Sequence, residues 1–182
     1  TDFLSYAHTR APDRRPTQIC TLLRNVASLA RAYASGDDVA IGVACDDELE
    51  CDIDQFQIQQ ALLNLTINAI DATAPGGRVT LGVDRGASGS LGLWVENTGE
   101  RIAPEAVSRI FEPFFTTKSR GTGLGLAITR NIARSHGGDA VLEANEEGRI
   151  RFTITIPAPV REATGHGVGG EAGGTDGANS RR

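Results

Sequence analysis

Asn64-Leu65-Thr66-Ile67-Asn68-Ala69-Ile70-Asp71-Ala72 is the stretch on which the reading of this chain turns. It lies within a run of helical spacing expected from Gln55 to Thr73, with Asp54 as N-cap candidate and Ala74-Pro75-Gly76-Gly77 as the stop. On a helix, Asn64, Asn68 and Asp71 fall at i, i+4 and i+7, which is one stripe. Leu62, Leu63, Leu65, Ile67, Ala69 and Ile70 take most of the remaining circumference. Such a helix is largely buried, so its narrow polar stripe needs partners. Short amides and a carboxylate, with no Lys or Arg among them, suit a hard metal ion and phosphate oxygens better than bulk solvent. An Asn carbonyl oxygen can ligate Mg²⁺ while phosphates fill other positions.

Outward from this helix, period-two alternation marks Arg78 to Asp84 and Leu91 to Asn97, joined by a Gly-Ala-Ser-Gly hairpin loop. Upstream, Gln18 to Ala34 has helical spacing, and Val39 to Ala44 and Leu49 to Cys51 read as short strands. Downstream come a short helix from Pro104 to Ile110 and a helix from Leu124 to Ser135 that stops at His136-Gly137-Gly138. A final hairpin is expected from Ala140 to Ala144 and Ile150 to Ile156. Helices and antiparallel strands in this order predict an α+β fold, a two-layer sandwich with helices on one face of a mixed sheet. His136 is expected to serve as a helix-terminal residue favourable to the dipole.

Both ends read differently. Asp2 to Thr9 resembles the last turns of a helix, and Ala11 to Pro16 reads as a linker, so residues 1–17 are set apart from a domain over 18–160. The Gly-rich stretch 161–182 is expected to be a disordered tail. The 182 residues carry a net charge of −5, which argues against a general nucleic-acid binder. Residues 10–31 run against that balance, with five Arg and one Asp. No apolar stretch is long enough to span a bilayer and no leader opens the chain, so a cytoplasmic chain is expected, whether or not its full-length parent is anchored in a membrane. The three cysteines, Cys20, Cys45 and Cys51, form no CxxC pair and are expected to be reduced.

Gly121-Thr122-Gly123-Leu124-Gly125-Leu126 opens the helix before Ser135. Glycines allow close backbone approach to an anion, and a helix N-terminus offers free N–H groups and positive partial charge. The only lysine in the chain, Lys118, lies just before it.

Four motifs together resemble the catalytic domain of two-component sensor histidine kinases. The 64–72 stretch resembles their N box. Val95-Glu96-Asn97-Thr98-Gly99-Glu100-Arg101-Ile102 stands at the first glycine box, Phe111-Glu112-Pro113-Phe114-Phe115-Thr116-Thr117-Lys118 resembles the F box, and Gly121 to Ile128 resembles the second glycine box. The resemblance implies the Bergerat fold, with ATP under a mobile lid and Mg²⁺ on Asn68. It implies catalytic roles for Asn64, Asn68 and Lys118. The ATP contacts it implies are Asn64, Asn68, Asp71, Asn97, Gly99 and Ile102, then Phe115, Thr116, Thr117 and Lys118 of the lid, and Gly121, Thr122, Gly123, Leu124, Gly125 and Leu126 of the glycine turn.

The chain departs from that pattern at two positions. Asn97 replaces the aspartate that receives the adenine amino group, and Arg101 stands at the box's second glycine. An Asn oxygen still accepts the adenine N–H, but its amide can also turn and offer N–H₂, so weaker discrimination between ATP and GTP is expected. Related ATPases place a water-activating glutamate where Asn64 stands, and an amide cannot act as general base, so transfer is favoured over hydrolysis. None of His8, His136 and His166 lies in the family's acceptor context. The implied partners are therefore a histidine-bearing dimerisation domain, a response regulator and, for the whole kinase, a second copy of itself. The rival readings are a nucleotide-binding pseudokinase or scaffold, and an anti-sigma-type serine kinase. The phenylalanine-rich lid speaks against the latter.

Overall fold

The computed structural model describes residues 10–34, 36, 38–45, 49–86, 89–118, 121–157 and 161–162. Its elements are β1 (Arg15–Gln18), α1 (Ile19–Tyr33), β2 (Ala40–Ala44), β3 (Leu49–Ile53), α2 (Gln55–Asp71), β4 (Arg78–Arg85), β5 (Leu91–Asn97), α3 (Pro104–Val107), α4 (Gly125–Ser135), β6 (Asp139–Glu146), β7 (Arg149–Ile156) and β8 (Arg161–Glu162). Five strands form a mixed sheet in the order β2-β4-β5-β7-β6, in which only β2 and β4 run parallel. A second, three-stranded sheet has the order β1-β3-β8. Helices α1, α2 and α4 pack against the five-stranded sheet with α2 between the other two, giving the expected sandwich.

The alternation along β5 shows how the layers meet. Leu91, Leu93 and Val95 are buried in the main core with Ile58, Leu62 and Leu65 of α2, and Asn97 continues the same face. Trp94 points to the other face, where the Arg151 guanidinium lies 4.0 Å from its ring centroid. The neighbouring Gly82 leaves room for that ring, since a Cβ there would run into it.

Asp54 caps α2 as its sequence predicts, accepting from the Phe56 and Gln57 N–H groups at 3.1 Å each. The Asp54 N–H in turn donates to His136 Nε2 at 3.1 Å, while His136 Nδ1 donates to the Ile132 carbonyl at 2.8 Å. The ring is fully buried, and burial pushes its pKa down. His136 is therefore a neutral pin between the start of α2 and the end of α4, not a charge at a helix terminus.

The structure revises four further expectations. Arg15–Gln18 is a strand paired with β3 rather than linker, because β1 lies at the sheet edge, where Pro16 can sit without breaking an interior ladder. Arg161–Glu162 pairs with Glu50 and Leu49, so the expected tail is strand at its first two residues. The short helix stops at Val107 and continues as turns. Cys20 and Cys45 form a disulfide, with Cα atoms 5.6 Å apart, and Cys51 is a buried thiol. The fold brings the end of β2 beside the first turn of α1, a proximity that sequence spacing does not reveal. The segments expected as a helix at 2–9 and as a tail from 163 onward lie outside the described residues, as do His8 and His166. Among the described residues, no helix is long and apolar enough to cross a membrane.

Candidate functional site

The polar stripe of α2 faces α4 and the loop before it. Gly125, the first residue of α4, sits against it: a Cβ there would lie 3.6 Å from Asn68 Nδ2 and 3.9 Å from the Asn64 side chain. Asn64 Nδ2 donates to the Gly125 carbonyl at 3.4 Å. At the rim, Lys118 Nζ donates to Asn68 Oδ1 at 3.0 Å and to Asp71 Oδ2 at 2.8 Å, and the Tyr33 hydroxyl donates to Asp71 Oδ1 at 3.2 Å. Oxygen donors thus already surround one cation, the ammonium group of Lys118.

The other end of the site is set by β5. Asn97 closes that strand's inward face and is 4% exposed, with Nδ2 3.3 Å from Thr73 Oγ1. Gly99 runs beside it, bridged to Thr73, and a Cβ at Gly99 would stand 2.5 Å from both Asn97 Nδ2 and the Ala72 carbonyl. Ile102 is fastened to β6 by Asn145, which accepts from the Ile102 N–H at 2.7 Å and donates to its carbonyl at 2.9 Å. Arg101 is accommodated without strain, because Phe114 is the one non-glycine residue with positive φ among the described residues.

Between these ends, the segment carrying Phe115 to Lys118 folds back over the glycine turn. The Phe114 N–H donates to the Gly123 carbonyl at 2.9 Å, and Gly123 has a φ of 68° where a Cβ would strike the Phe114 backbone. Phe115 stacks under the Arg109 guanidinium at 4.6 Å. Helix α4 starts at Gly125 after an N-cap, Leu124, whose side chain makes no cap bond, which leaves the N–H groups of the helix's first turn available to a ligand.

These parts enclose a cavity of about 300 Å³. Asn64, Asn68, Asn97, Ile102, Phe115, Thr116, Thr117, Lys118, Gly121, Thr122, Gly123, Gly125 and Leu126 all line it. Three residues expected there do not. Leu124 is buried in the core, Gly99 lies behind Asn97, and Asp71 stands one turn farther on, in an adjoining opening shared with Lys118 and Gly121. A groove of about 640 Å³ beside Phe56 gathers none of the expected residues, so its size does not make it the site. Sequence reasoning missed Thr73, Asn145 and the apolar wall of Ile110, Ile150 and Phe152. The β7 residues are signalled only by register, which sets Ile150 opposite Asn97 and Phe152 opposite Val95.

Comparison with known proteins agrees with this architecture. The chain is 33% identical over 141 residues to the sensor histidine kinase ZraS of Escherichia coli O157:H7, covering 77% of this chain but only 31% of that protein. Its fold is similar to the catalytic domain of the histidine kinase ThkA in a nucleotide-free form, with a TM-score of 0.72 and 33% identity over 81% of this chain and 97% of that one. ThkA in complex with the response regulator protein TrrA aligns with a TM-score of 0.69 and 30% identity, over 85% of this chain and 45% of that one. Full-length ShkA in complex with AMPPNP aligns with a TM-score of 0.77 and 29% identity, over 89% of this chain and 35% of that one. The chain thus spans about a third of the length of the curated relative it matches. Residues 53–160, from the end of β3 through the cavity-lining elements, match the family of histidine kinase-, DNA gyrase B- and HSP90-like ATPases, and the chain belongs to it.

Proposed function

We propose that this chain is the ATP-binding catalytic domain of a two-component sensor histidine kinase, working in the cytoplasm. It would present the γ-phosphate of Mg–ATP to a histidine on a dimerisation domain outside this chain, within a homodimeric kinase that then supplies a response regulator. The observation that carries this reading is the convergence on one cavity of Asn64 and Asn68 from α2, Asn97 from β5, the Phe115–Lys118 segment and the glycine turn.

The residues present fit that ligand. At the Asn97 end, a buried side chain with a hydrogen-bonding edge and the apolar side chains of Ile102, Ile110 and Phe152 suit a purine. At the other end, Thr116, Thr117, Lys118 and the uncapped start of α4 offer donors and positive charge to phosphates. Asn68 Oδ1 and Asp71, now around the Lys118 ammonium, are the hard oxygen donors that a divalent cation takes, and Asn68 would hold Mg²⁺. The ion, when bound, neutralises charge on the phosphates. The chain's own part is positioning: the glycine turn admits the phosphates closely, and the lid segment keeps water away. Asn64 donates to a carbonyl and cannot accept a proton from water, which supports transfer over hydrolysis.

With labelled ATP, the chain alone is expected to show no phosphorylation and little hydrolysis, and adding a matching dimerisation domain in trans should place the label on that domain's histidine. Asn68→Ala should keep the circular-dichroism spectrum while losing the Mg²⁺-dependent part of the affinity for a non-hydrolysable ATP analogue. Label on this chain's own His8, His136 or His166, or unchanged Mg²⁺ dependence in the variant, would remove the reading.

A further inference from the structure

We infer that Thr73 is a positioning residue that decides which purine edge the cavity accepts, an inference that rests on reading Asn97 as the base contact. An asparagine amide presents an oxygen acceptor on one side and an N–H₂ donor on the other, so alone it could serve either a 6-amino or a 6-oxo purine by turning over. The surroundings of Asn97 prevent that ambiguity. The Thr73 hydroxyl donates its single proton to the Ala69 carbonyl at 2.6 Å. Toward Asn97 it therefore offers only lone pairs, and Asn97 Nδ2 donates to it at 3.3 Å.

Turning the amide over would set Oδ1 against an oxygen with no proton left to give. Thr73 could answer only by abandoning Ala69. Two further contacts hold the hydroxyl in place: the bridge to Gly99, and Gly77, where a Cβ would collide with the Thr73 methyl. The amide nitrogen lies close beside Gly99, a slot that any side chain there would fill. With Nδ2 engaged, Oδ1 is the atom left to a ligand, and it accepts from an exocyclic amine while opposing a carbonyl. The Thr73–Asn97 pair thus gives a neutral amide the one-sided character of a carboxylate, and the weak base discrimination expected from the sequence is replaced by a firm preference for the 6-amino purine.

Calorimetric titration with non-hydrolysable ATP and GTP analogues tests this on the wild type, Thr73→Val, Thr73→Ser, Thr73→Ala and Asn97→Ala, each checked by thermal melting. The wild type should prefer the ATP analogue. Thr73→Val should lower the ATP-to-GTP ratio about tenfold, the scale of one mismatched hydrogen-bonding group, and Thr73→Ser should retain the ratio. If Thr73→Val does not fold, Thr73→Ala provides the same reading, since water in the vacated space can both donate and accept. An unchanged ratio in the Thr73 variants beside a collapsed one in Asn97→Ala overturns the positioning role alone. An unchanged ratio in Asn97→Ala as well removes Asn97 from the base, and this inference falls with it.

Discussion

His136 is fully buried with both ring nitrogens occupied, one accepting from the Asp54 N–H and the other donating to the Ile132 carbonyl. Protonating it would bury a charge, which is why its pKa lies below the ordinary value of 6.5, and would also give up the bond at Nε2. An unfolded chain binds this proton at higher pH than the folded one. The histidine's contribution is therefore complete above about pH 6.5 and shrinks as pH falls below it, by at most about 1.4 kcal/mol per pH unit for one proton. Asp139, held at about 2 by the Arg130 guanidinium, stabilises fully above pH 3.8 and loses that contribution only as pH falls from there toward 2, outside the histidine's window. Urea denaturation between pH 7.5 and 5.5 should show declining stability in the wild type and a flatter profile in His136→Gln. Parallel slopes would mean that another group titrates. The sequence placed this histidine at the end of α4 but not against α2, because its partner Asp54 is 82 positions away.

Among the elements, β5 was the most legible, since its alternation predicted both its limits, Leu91 and Asn97. Less legible was what covers the outward face. Trp94 lies across Gly82 of β4 and under Arg151 of β7, an arrangement that depends on register between three strands. Gly82→Ala should overpack this layer and cost about 1–3 kcal/mol in urea denaturation, followed by the fluorescence of the chain's single tryptophan. A variant as stable as the wild type would show that the ring moves aside freely. The polar stripe of α2 was equally readable, because three polar residues at helical spacing on an otherwise apolar helix have few explanations. The Cys20–Cys45 link was not, since it joins a helix start to a strand end 25 positions away, a proximity set by tertiary packing.

On the scale of the whole molecule, the expected two-layer design is present, but the sequence divided the chain too narrowly. Prolines and arginines at 11–16 carry the local signature of a linker, yet tertiary pairing overrides it: β1 lies along β3, Thr17 is buried, and the Asp13 N–H donates to Asp54 Oδ2 at 3.0 Å. A version beginning at Ile19 would therefore leave β3 unpaired on one side. It should lose about 2 kcal/mol or more, lowering Tm by about 4–8 °C at this size in a calorimetric scan. An unchanged Tm would restore the linker reading. Cavity residues supplied by motif were legible, whereas the wall contributed by β7 was not, because nothing local in Ile150 or Phe152 distinguishes a cavity lining from ordinary core.

Lys118 adds a consequence for how the rim of the site changes hands. Its ammonium already occupies the oxygen donors of Asn68 and Asp71, so a divalent cation binding there, as proposed above, would take part in an exchange rather than fill a bare seat. A free aqueous ion would have to expel the lysine while gaining only those few oxygens. An ion carried in on a polyphosphate brings the anionic groups that draw the same ammonium to a new partner. On the function proposed above, release of the lysine from α2 and its capture by the incoming charge would be two halves of one substitution, which would favour the ion–polyphosphate complex over either component alone.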